Sequence, residues 1–305
     1  MTPVCAIELD VRELKVLQLG DGGALHHAHS LLPDGAYREG MPTRILMEVL
    51  LQTLASSGVT ARLARVAISD AGVAVRDFRM ARIPEADLQS AVMYEAKRLI
   101  PMDPGDVYYA WHAAPAGGQL AVYLAAARRD MIDGLVAAVA AAGLQVERVD
   151  LRALALARAI GVPDGLILDW GHGEATLVLQ VDGRPRFFRT VQLEASPVDS
   201  LATHLEELSL SVEALLKFSR SADPQLPVGP TTPLYLTGLF GMVPEAIEAG
   251  RTGFAYEVRK PQVVGEWPPD FSWHLHVAGI GLLQPATWRT RLTPMASEGQ
   301  RRAAA

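Results

Sequence analysis

The amino-acid sequence predicts an α/β protein of about two domains. Three observations point to this class: a high hydrophobic content, an alternation of strand-like and helical segments, and glycine- or acid-bearing turns at the ends of three strands. Half of the 305 residues are hydrophobic and 20% are charged, which provides apolar material for buried cores and argues against disorder. At roughly 100–200 residues per domain, the length fits about two domains.

The first segments of the chain predict three consecutive antiparallel strands and a helix. Residues 4–9 and 14–19 are strand-like, and a glycine-rich turn precedes a third candidate strand at residues 24–32. Thr43 is a suitable N-cap for the helix that follows, and Gly58 is a suitable stop. The apolar stripe of this helix comprises Ile45, Leu46, Val49, Leu50 and Leu54.

Residues 65–150 are predicted to form a compact module with the order strand, strand, helix, strand, strand, helix. The predicted segments are strands at 65–69 and 73–78, a helix from Pro84 to Pro101, strands at 107–112 and 120–126, and a helix at 130–142. Acidic residues at the start of the first helix favour its dipole.

The remaining part of the chain predicts a second sheet and a long helix. The predicted segments are strands at 165–170, 175–181, 185–191 and 234–237, a long helix from about Pro197 to Arg220, a helix at 272–283, and a disordered polar tail at 290–305. The leucine stripe from Leu201 to Leu216 is predicted as core, with a dimer seam as the alternative reading.

Composition and charge exclude several classes of function. The net charge of −6, with no basic block, argues against nucleic acid as the main partner. The single Cys5 excludes a disulfide framework and a Cys-rich zinc site, and it fits a reducing, cytoplasmic compartment. No segment is long and apolar enough to span a bilayer, and no signal peptide is apparent. Any membrane association is therefore expected to go through a partner.

Three strand–turn motifs recur along the chain. They are Ile7–Asp10, Leu168–Gly173 and Leu236–Gly241, and each places an acid or a glycine at a strand end, where backbone can approach a ligand. The spaced trio resembles the nucleotide cleft of the actin, Hsp70 and sugar-kinase superfamily. In that superfamily two phosphate loops face each other and a third Gly-rich loop borders the adenosine.

The segment from Ile83 to Met102 is similar to the inserted module of the type IV pilus assembly protein PilM family, relatives of the cell-division protein FtsA. Two later stretches, Leu124–Leu154 and Gly183–Arg189, agree with this resemblance. It covers most of residues 4 to 285 and rests on the order and spacing of the motifs.

The resemblance implies an actin-like ATPase fold with two related lobes, an FtsA-like inserted 1C module and a truncated 2B subdomain. The expected boundaries are subdomain 1A at 1–64, the 1C-like module at 65–150, a return to 1A or hinge at 151–164, subdomain 2A with reduced 2B at 165–271, a terminal helix at 272–289, and the tail at 290–305.

The resemblance also implies a cytoplasmic scaffold that is peripheral at the inner membrane. Relatives bind ATP in the cleft, hold the cytoplasmic tail of the membrane protein PilN in a groove between 1A and 1C, and join a complex with PilN and PilO. The residues implied for the nucleotide cleft are Asp10, Lys15, Asp169, Gly171, Gly173, Gly238 and Gly241. The candidates for contact with the PilN-like tail are Ile83, Met93, Lys97 and Arg98.

The phosphate loops depart from the family pattern. Asp10 lies where a glycine is expected, Glu13 and Glu174 lie where hydroxyl residues are expected, and Leu239 replaces a glycine of the adenosine loop. Two like charges about 4 Å apart repel by about 1 kcal/mol in water and by more in a cleft. We therefore expect a degenerate cleft, no bound cofactor and no enzymatic activity, with ATP and Mg²⁺ binding as the alternative.

Other interpretations of the same residues stay open at this point. Asp169 can be a turn cap, Lys15 an exposed strand residue, and Gly238 and Gly241 turn formers. The alternative functions are an ATP-binding switch of the same machinery, a phosphotransferase, and a paralogue from an MSHA pilus or type II secretion system. A metal site is not expected at the histidine pattern, which comprises His26, His27, His29, His274 and His276.

Overall fold

The computed structural model describes residues 3–20, 23–70, 72–193, 201–229, 231–286 and 293–294. These residues form two compact units. The first unit holds the described residues within 3–38, 43–70 and 138–285, and the second holds residues 39–42, 72–137, 286 and 293–294. None of the helices in these ranges is long and apolar enough to cross a membrane.

The regular elements alternate along the chain. The strands are β1 Val4–Leu9, β2 Glu13–Leu19, β3 Leu25–Leu31, β4 Tyr37–Arg38, β5 Met41–Pro42, β6 Leu63–Ile68, β7 Val73–Ala81, β8 Val107–Ala116, β9 Gln119–Arg128, β10 Gln145–Leu151, β11 Gly165–Trp170, β12 Glu174–Val181, β13 Arg184–Gln192, β14 Leu234–Thr237, β15 Val258–Arg259 and β16 Thr293–Pro294. The α-helices are α1 Arg44–Ser57, α2 Glu85–Leu99, α3 Arg129–Ala141, α4 Arg152–Ile160, α5 Leu201–Ala222, α6 Pro244–Gly253 and α7 Val277–Leu283, and Leu239–Met242 and Trp273–His276 form short 3₁₀ helices.

The first unit contains two five-stranded sheets with a common plan. Their strand orders are β10-β6-β1-β2-β3 and β13-β12-β11-β14-β15. In each sheet a hairpin, β1-β2 or β11-β12, continues into parallel pairing, β1 with β6 and β11 with β14. The carboxyl ends of the parallel strands therefore lie at one edge of each sheet, which is where ligand sites form in open α/β folds.

The buried helix α4 packs against both sheets of the first unit, and α7 packs against α4 and the first sheet. Residues of α4 and α7 share one apolar cluster with Ala6 and Leu17 of the first sheet and with Ile167 and Val178 of the second. The two helices approach closely because Gly281 has no side chain, and a Cβ there would meet the carbonyl of Ala155. The hinge expected at residues 151–164 is thus mainly a buried helix that follows β10.

The second sheet carries the long helix α5 on one face. Leu208, Val212 and Leu216 are fully buried in its core, together with Trp170 and Leu177. The predicted stripe from Leu205 to Leu216 is therefore core packing, because its residues recur on one face at successive turns of α5. The helix ends at Ala222, close to the predicted Arg220. Its predicted start at residues 197–200 lies outside the described residues.

The second unit is a sheet with strand order β16-β8-β9-β7, packed against α2. The prediction that this module spans residues 65–150 is wrong at both ends, because residues 65–70 and 138–150 belong to the first unit. The strand β6 pairs in parallel with β1 and β10 in the first unit, so no hairpin joins it to β7. The residue types at 65–69 predict a strand, but they do not specify the neighbour with which the strand pairs.

Several local predictions are confirmed. Thr43 occupies the N-cap position of α1, but its hydroxyl donates to the carbonyls of Gly35 and Ala36 and does not cap the helix. Gly58 ends that helix with a left-handed backbone, φ +72°. The helix α2 follows Pro84 and has Glu85 and Asp87 in its first turn. The prediction of a disordered tail at 290–305 is wrong at Thr293 and Pro294, which form a short strand paired with β8. The rest of that tail lies outside the described residues.

Candidate functional site

The chain buries a cluster of charged side chains where the turns of the two hairpins and the start of α4 meet. Its five acids are Glu8, Asp10, Glu13, Asp169 and Glu174, and its two bases are Lys15 and Arg152. None of the seven residues is more than 3% exposed. Buried charges at this density require ion pairing and hydrogen bonding, because desolvating an unpaired charge costs several kcal/mol.

Arg152, the first residue of α4, is the centre of this cluster. Its Nη1 donates to Asp10 Oδ2 at 3.2 Å and to Glu174 Oε1 at 2.8 Å. Its Nη2 donates to Asp169 Oδ2 at 2.7 Å, and its Nε lies 3.1 Å from Glu8 Oε1. One guanidinium thus contacts four carboxylates, two from the first sheet region and two from the second.

Lys15 forms the second positive centre. It lies opposite Glu8 in the β1-β2 pair, and its Nζ is 3.4 Å from Glu8 Oε1 and 3.4 Å from Glu13 Oε2. The other carboxylate oxygen of Glu13 lies 2.8 Å from Nε2 of His29. The alternative reading of Lys15 as an exposed strand residue is therefore wrong, because its side chain is 2% exposed.

The first turn satisfies its own amides with a carboxylate. Asp10 Oδ1 accepts hydrogen bonds from the backbone N–H groups of Arg12, at 2.7 Å, and Glu13, at 2.6 Å. In the phosphate loops that this turn resembles, such amides bind phosphate oxygens. Here the side chain of Asp10 is already their acceptor.

The second turn packs directly against the first. The backbone N–H of His172 donates to Glu13 Oε2 at 3.4 Å. A Cβ on Gly171 would lie 2.5 Å from the same oxygen, and a Cβ on Gly173 would overlap the side chain of Arg12. The two glycines therefore permit contact between the hairpin turns, and the side chains of the first turn fill the space over the second.

Asp169 connects this cluster to the third motif. Its Oδ1 accepts a hydrogen bond of 2.6 Å from the hydroxyl of Thr237, the residue beside it in the β11-β14 pair. Gly238 follows with a φ of +81°, and a Cβ there would lie 2.5 Å from the carbonyl oxygen of Trp170. Only glycine fits this combination of conformation and close approach.

Two further hydrogen-bonded groups join the ends of β6 and β13. The Glu174 Oε2 atom accepts from Ser69 at 3.2 Å and from Gln192 at 2.9 Å. Asp70 accepts from the backbone N–H of Thr190 at 3.2 Å and from its hydroxyl. The two sheets are thus connected by hydrogen bonds of Glu174 and Asp70 as well as by Arg152.

Burial and the excess of acids change the proton affinities in the cluster. Burial raises the pKa of Glu174 to about 7, although Arg152 opposes this, and burial also raises the pKa of Glu8. Burial would raise the pKa of Glu13, but Lys15 and the His29 hydrogen bond hold it well below its usual range. Burial lowers the pKa of Lys15 less than Glu8 and Glu13 raise it, so the lysine stays protonated.

The structure brings most of the predicted nucleotide-cleft residues together. Asp10, Lys15, Asp169, Gly171 and Gly173 all lie in or against the charged cluster. Gly238 contacts the backbone of the second turn at Trp170. Gly241 lies farther along, in the 3₁₀ helix, where its N–H donates to the carbonyl of Gly238 at 3.1 Å.

The predicted partner-binding residues all belong to the second unit. Ile83 and Met93 are partly buried against its apolar core, whereas Lys97 and Arg98 are exposed in the last turn of α2. Arg98 pairs with Glu95 at 2.8 Å. On the same helix Tyr94 is 72% exposed.

The central residue of the cluster, Arg152, is absent from the predicted site. A signal for it exists in the sequence, because Arg152 begins the apolar run that continues through Ala153, Leu154, Ala155 and Leu156. An arginine in a helix that is buried on all sides needs acidic partners. The sequence does not show which acids these are.

The histidines do not form a metal centre in the described part of the chain, where no three His, Cys, Asp or Glu side chains are grouped to hold an ion. His276 is instead buried beside Phe271, with ring centroids 5.4 Å apart, and beside His27 at 5.3 Å. Burial lowers the pKa of His276 to about 3.

Comparison with solved structures shows the fold. A chain of a PilM–PilN type IV pilus biogenesis complex superposes with a TM-score of 0.72 at 21% identity, covering 92% of this chain and 99% of that chain. The ethanolamine utilization protein EutJ from Carboxydothermus hydrogenoformans gives 0.56 at 14% identity, with 91% and 88% covered. The cytoplasmic domain of EpsL, an inner-membrane component of the Vibrio cholerae type II secretion system, gives 0.54 at 14% identity, with 93% and 96% covered. The predicted actin-like α/β fold is confirmed.

Comparison of the sequence with protein families shows the family. No curated protein matches the chain. The family described as type IV pilus assembly protein PilM matches residues 25–183, which is more than half of the chain. This range includes β3, the whole of the described part of the second unit between residues 72 and 137, and the arginine and acids contributed by α4, β11 and β12. The chain therefore belongs to the PilM family of type IV pilus assembly proteins.

Proposed function

We propose that this protein is a cytoplasmic scaffold of the type IV pilus assembly machinery that binds the cytoplasmic tail of a PilN-like membrane protein. The observation that carries the proposal is the family match together with the similarity, over 92% of the chain, to a chain of a PilM–PilN complex. Association with the inner membrane, next to PilN- and PilO-type proteins, would then depend on this partner.

The proposed contact surface includes the end of α2 in the second unit. Lys97 and Arg98 add positive charge there, and Tyr94 on the same helix adds an exposed aromatic ring. Exposed aromatic and arginine side chains are enriched at the centres of protein interfaces. The other two candidates, Ile83 and Met93, are partly buried, because both pack against the core of the unit.

Charge reversal tests this surface. We expect the double variant Lys97→Glu, Arg98→Glu to bind a synthetic peptide of the PilN-like tail from the same genome at least about tenfold more weakly, equivalent to about 1.4 kcal/mol. Calorimetric titration measures the affinity. Lys217→Glu, on the exposed side of α5, is the matched control and should bind like the wild type. Equal affinity of the double variant would remove the end of α2 from the site.

We further propose that the scaffold acts without bound nucleotide and without ATPase activity. Support comes from the hairpin turns, where carboxylates of Asp10 and Glu13 accept the hydrogen bonds of backbone amides and Arg152 fills the centre. A phosphate group would have to displace buried carboxylates that repel it.

Titration with Mg-ATP tests this part of the proposal. We expect no saturable heat of binding and no change in Tm, whereas a ligand at 100 times its Kd would stabilise the fold by about 2.7 kcal/mol. Binding that saturates at micromolar ATP and is lost in Asp169→Asn would instead favour the ATP-dependent switch.

A further inference from the structure

We propose that Arg152 is a built-in cation of the cleft, which holds the two hairpins together in the absence of any ligand. The inference rests on the proposed nucleotide-free function and concerns the residue that replaces the ligand. The two hairpin turns, β1-β2 and β11-β12, belong to different sheets, and each contributes two carboxylates to the same guanidinium.

The geometry gives every nitrogen of the guanidinium an acidic neighbour. Nε is next to Glu8, Nη1 is between Asp10 and Glu174, and Nη2 is bonded to Asp169. The planar group therefore links two acids of the first sheet region to two acids of the second sheet. A lysine would contribute only one point charge to the same acids.

Burial makes this cation necessary. The Arg152 side chain is fully buried, and each of its four partners exposes 3% or less of its side chain. Without a positive charge among them, burial and mutual repulsion would favour protonation of these four acids still further. Lys15 does not replace Arg152, because its ion pairs within the described residues are with Glu8 and Glu13, both on the first sheet.

The backbone amides of the turns have internal partners of the opposite sign. Asp10 accepts the amides of the first turn, and Glu13 accepts the amide of His172 in the second. A metal–phosphate ligand would supply a cation for the acids and anions for the amides. In this chain, Arg152 supplies the cation for the acids, and the carboxylates of Asp10 and Glu13 supply the anions for the amides.

Chemical rescue of a truncated arginine tests the inference. In Arg152→Ala, the missing atoms correspond to N-ethylguanidinium, and N-ethylurea is a neutral molecule of nearly the same shape. We expect Arg152→Ala to have a lower Tm than the wild type, and N-ethylguanidinium to raise this Tm saturably relative to NaCl at equal ionic strength. The wild type should not respond, because its own guanidinium fills the site.

The controls decide between a cation site and a simple cavity. Rescue by N-ethylurea to the same extent, or no rescue by N-ethylguanidinium, would overturn the inference. Arg44→Ala, at an arginine whose side chain is 89% exposed, controls for the loss of a surface arginine and should show neither a comparable fall in Tm nor rescue.

A second series covers the case in which Arg152→Ala does not fold. Arg152→Met combined with Asp169→Asn and Glu174→Gln removes the cation and two of the facing anions. We expect this triple variant to have a higher Tm than Arg152→Met, and failure to gain stability would overturn the inference. Mg-ATP binding by the wild type would instead contradict the proposed nucleotide-free function, so the two failures are distinguishable.

Discussion

Arg152 illustrates why single residues decide the state of this cleft. Transferring one guanidinium and four carboxylates from water to a protein interior is unfavourable, and mutual attraction compensates only when the geometry is good. Each of the three nitrogens of Arg152 has an acidic neighbour within 3.2 Å. Removing one charged side chain of the cluster should therefore lower the free energy of unfolding by more than its ion pairs contribute, because its partners stay buried without an opposite charge.

Glu174 gives a pH-dependent prediction at this scale. Its pKa is raised to about 7 by burial, against an ordinary value of 4.5. Between these two values the folded state holds a proton that the unfolded state releases, so this residue makes stability fall as pH rises from 4.5 to 7. As pH rises through this window, we expect the free energy of unfolding of Glu174→Gln, minus that of the wild type, to increase by up to about 1.4 kcal/mol per pH unit.

Urea unfolding at pH 5, 6 and 7 measures this difference for Glu174→Gln. Glu206→Gln, at an exposed position on α5, is the control and should follow the wild type at every pH. A constant difference between Glu174→Gln and the wild type would show that Glu174 is ionised throughout the window.

At the scale of elements, packing against the sheets explains which helices the chain needs. The helix α4 is buried along nearly its whole length and contacts strands of both sheets of the first unit. The helix α5 is amphipathic, with Leu208 fully buried and Leu210 61% exposed. Amphipathic periodicity makes α5 predictable, whereas α4 is short and buried on nearly all sides, with Arg152 itself among its buried residues.

Leu208 and Leu210 form a matched pair for a stability test. We expect Leu208→Ala to lower the free energy of unfolding by about 2–5 kcal/mol, because it leaves a cavity in the core of the second sheet. Leu210→Ala should change it by less than about 0.5 kcal/mol, because its side chain is mostly in water. Denaturant unfolding measures both, and similar losses would contradict the assignment of the buried face.

At the scale of the whole molecule, the chain divides into two compact units that have separate apolar cores. The second unit has its own core around Leu88, Val92 and Tyr109, and the first has cores around Trp170 and around Leu156. A core that is local to one unit permits that unit to open on its own.

Hydrogen exchange tests this division. We expect Val92→Ala to speed amide exchange in β7, β8 and β9, because it removes buried contacts within the second unit. Exchange in β1 and β11 of the first unit should stay at the wild-type rate. Leu177→Ala, in the core of the second sheet, is the reciprocal variant, and equal acceleration of all strands by Val92→Ala would show that the chain opens as one cooperative unit.

The sequence by itself determined most of the local structure and the composition of the site. Strand alternation, helix caps and glycine-bearing turns depend on neighbouring residues, so β1, β2, α1 and the three motifs are readable directly from the chain. The predicted excess of acids at the phosphate loops is likewise a matter of residue type, and Asp10, Glu13 and Glu174 are buried in the cluster.

Only the tertiary structure decided which strands pair and which base neutralises these acids. The strand β6 pairs with β1, more than 50 residues earlier, and Arg152 joins acids that are between 17 and 144 positions away. Such long-range contacts form because burial of both sheets against α4 brings their strand ends to one place. The charge of a side chain is fixed by the sequence, but its partner is fixed by packing.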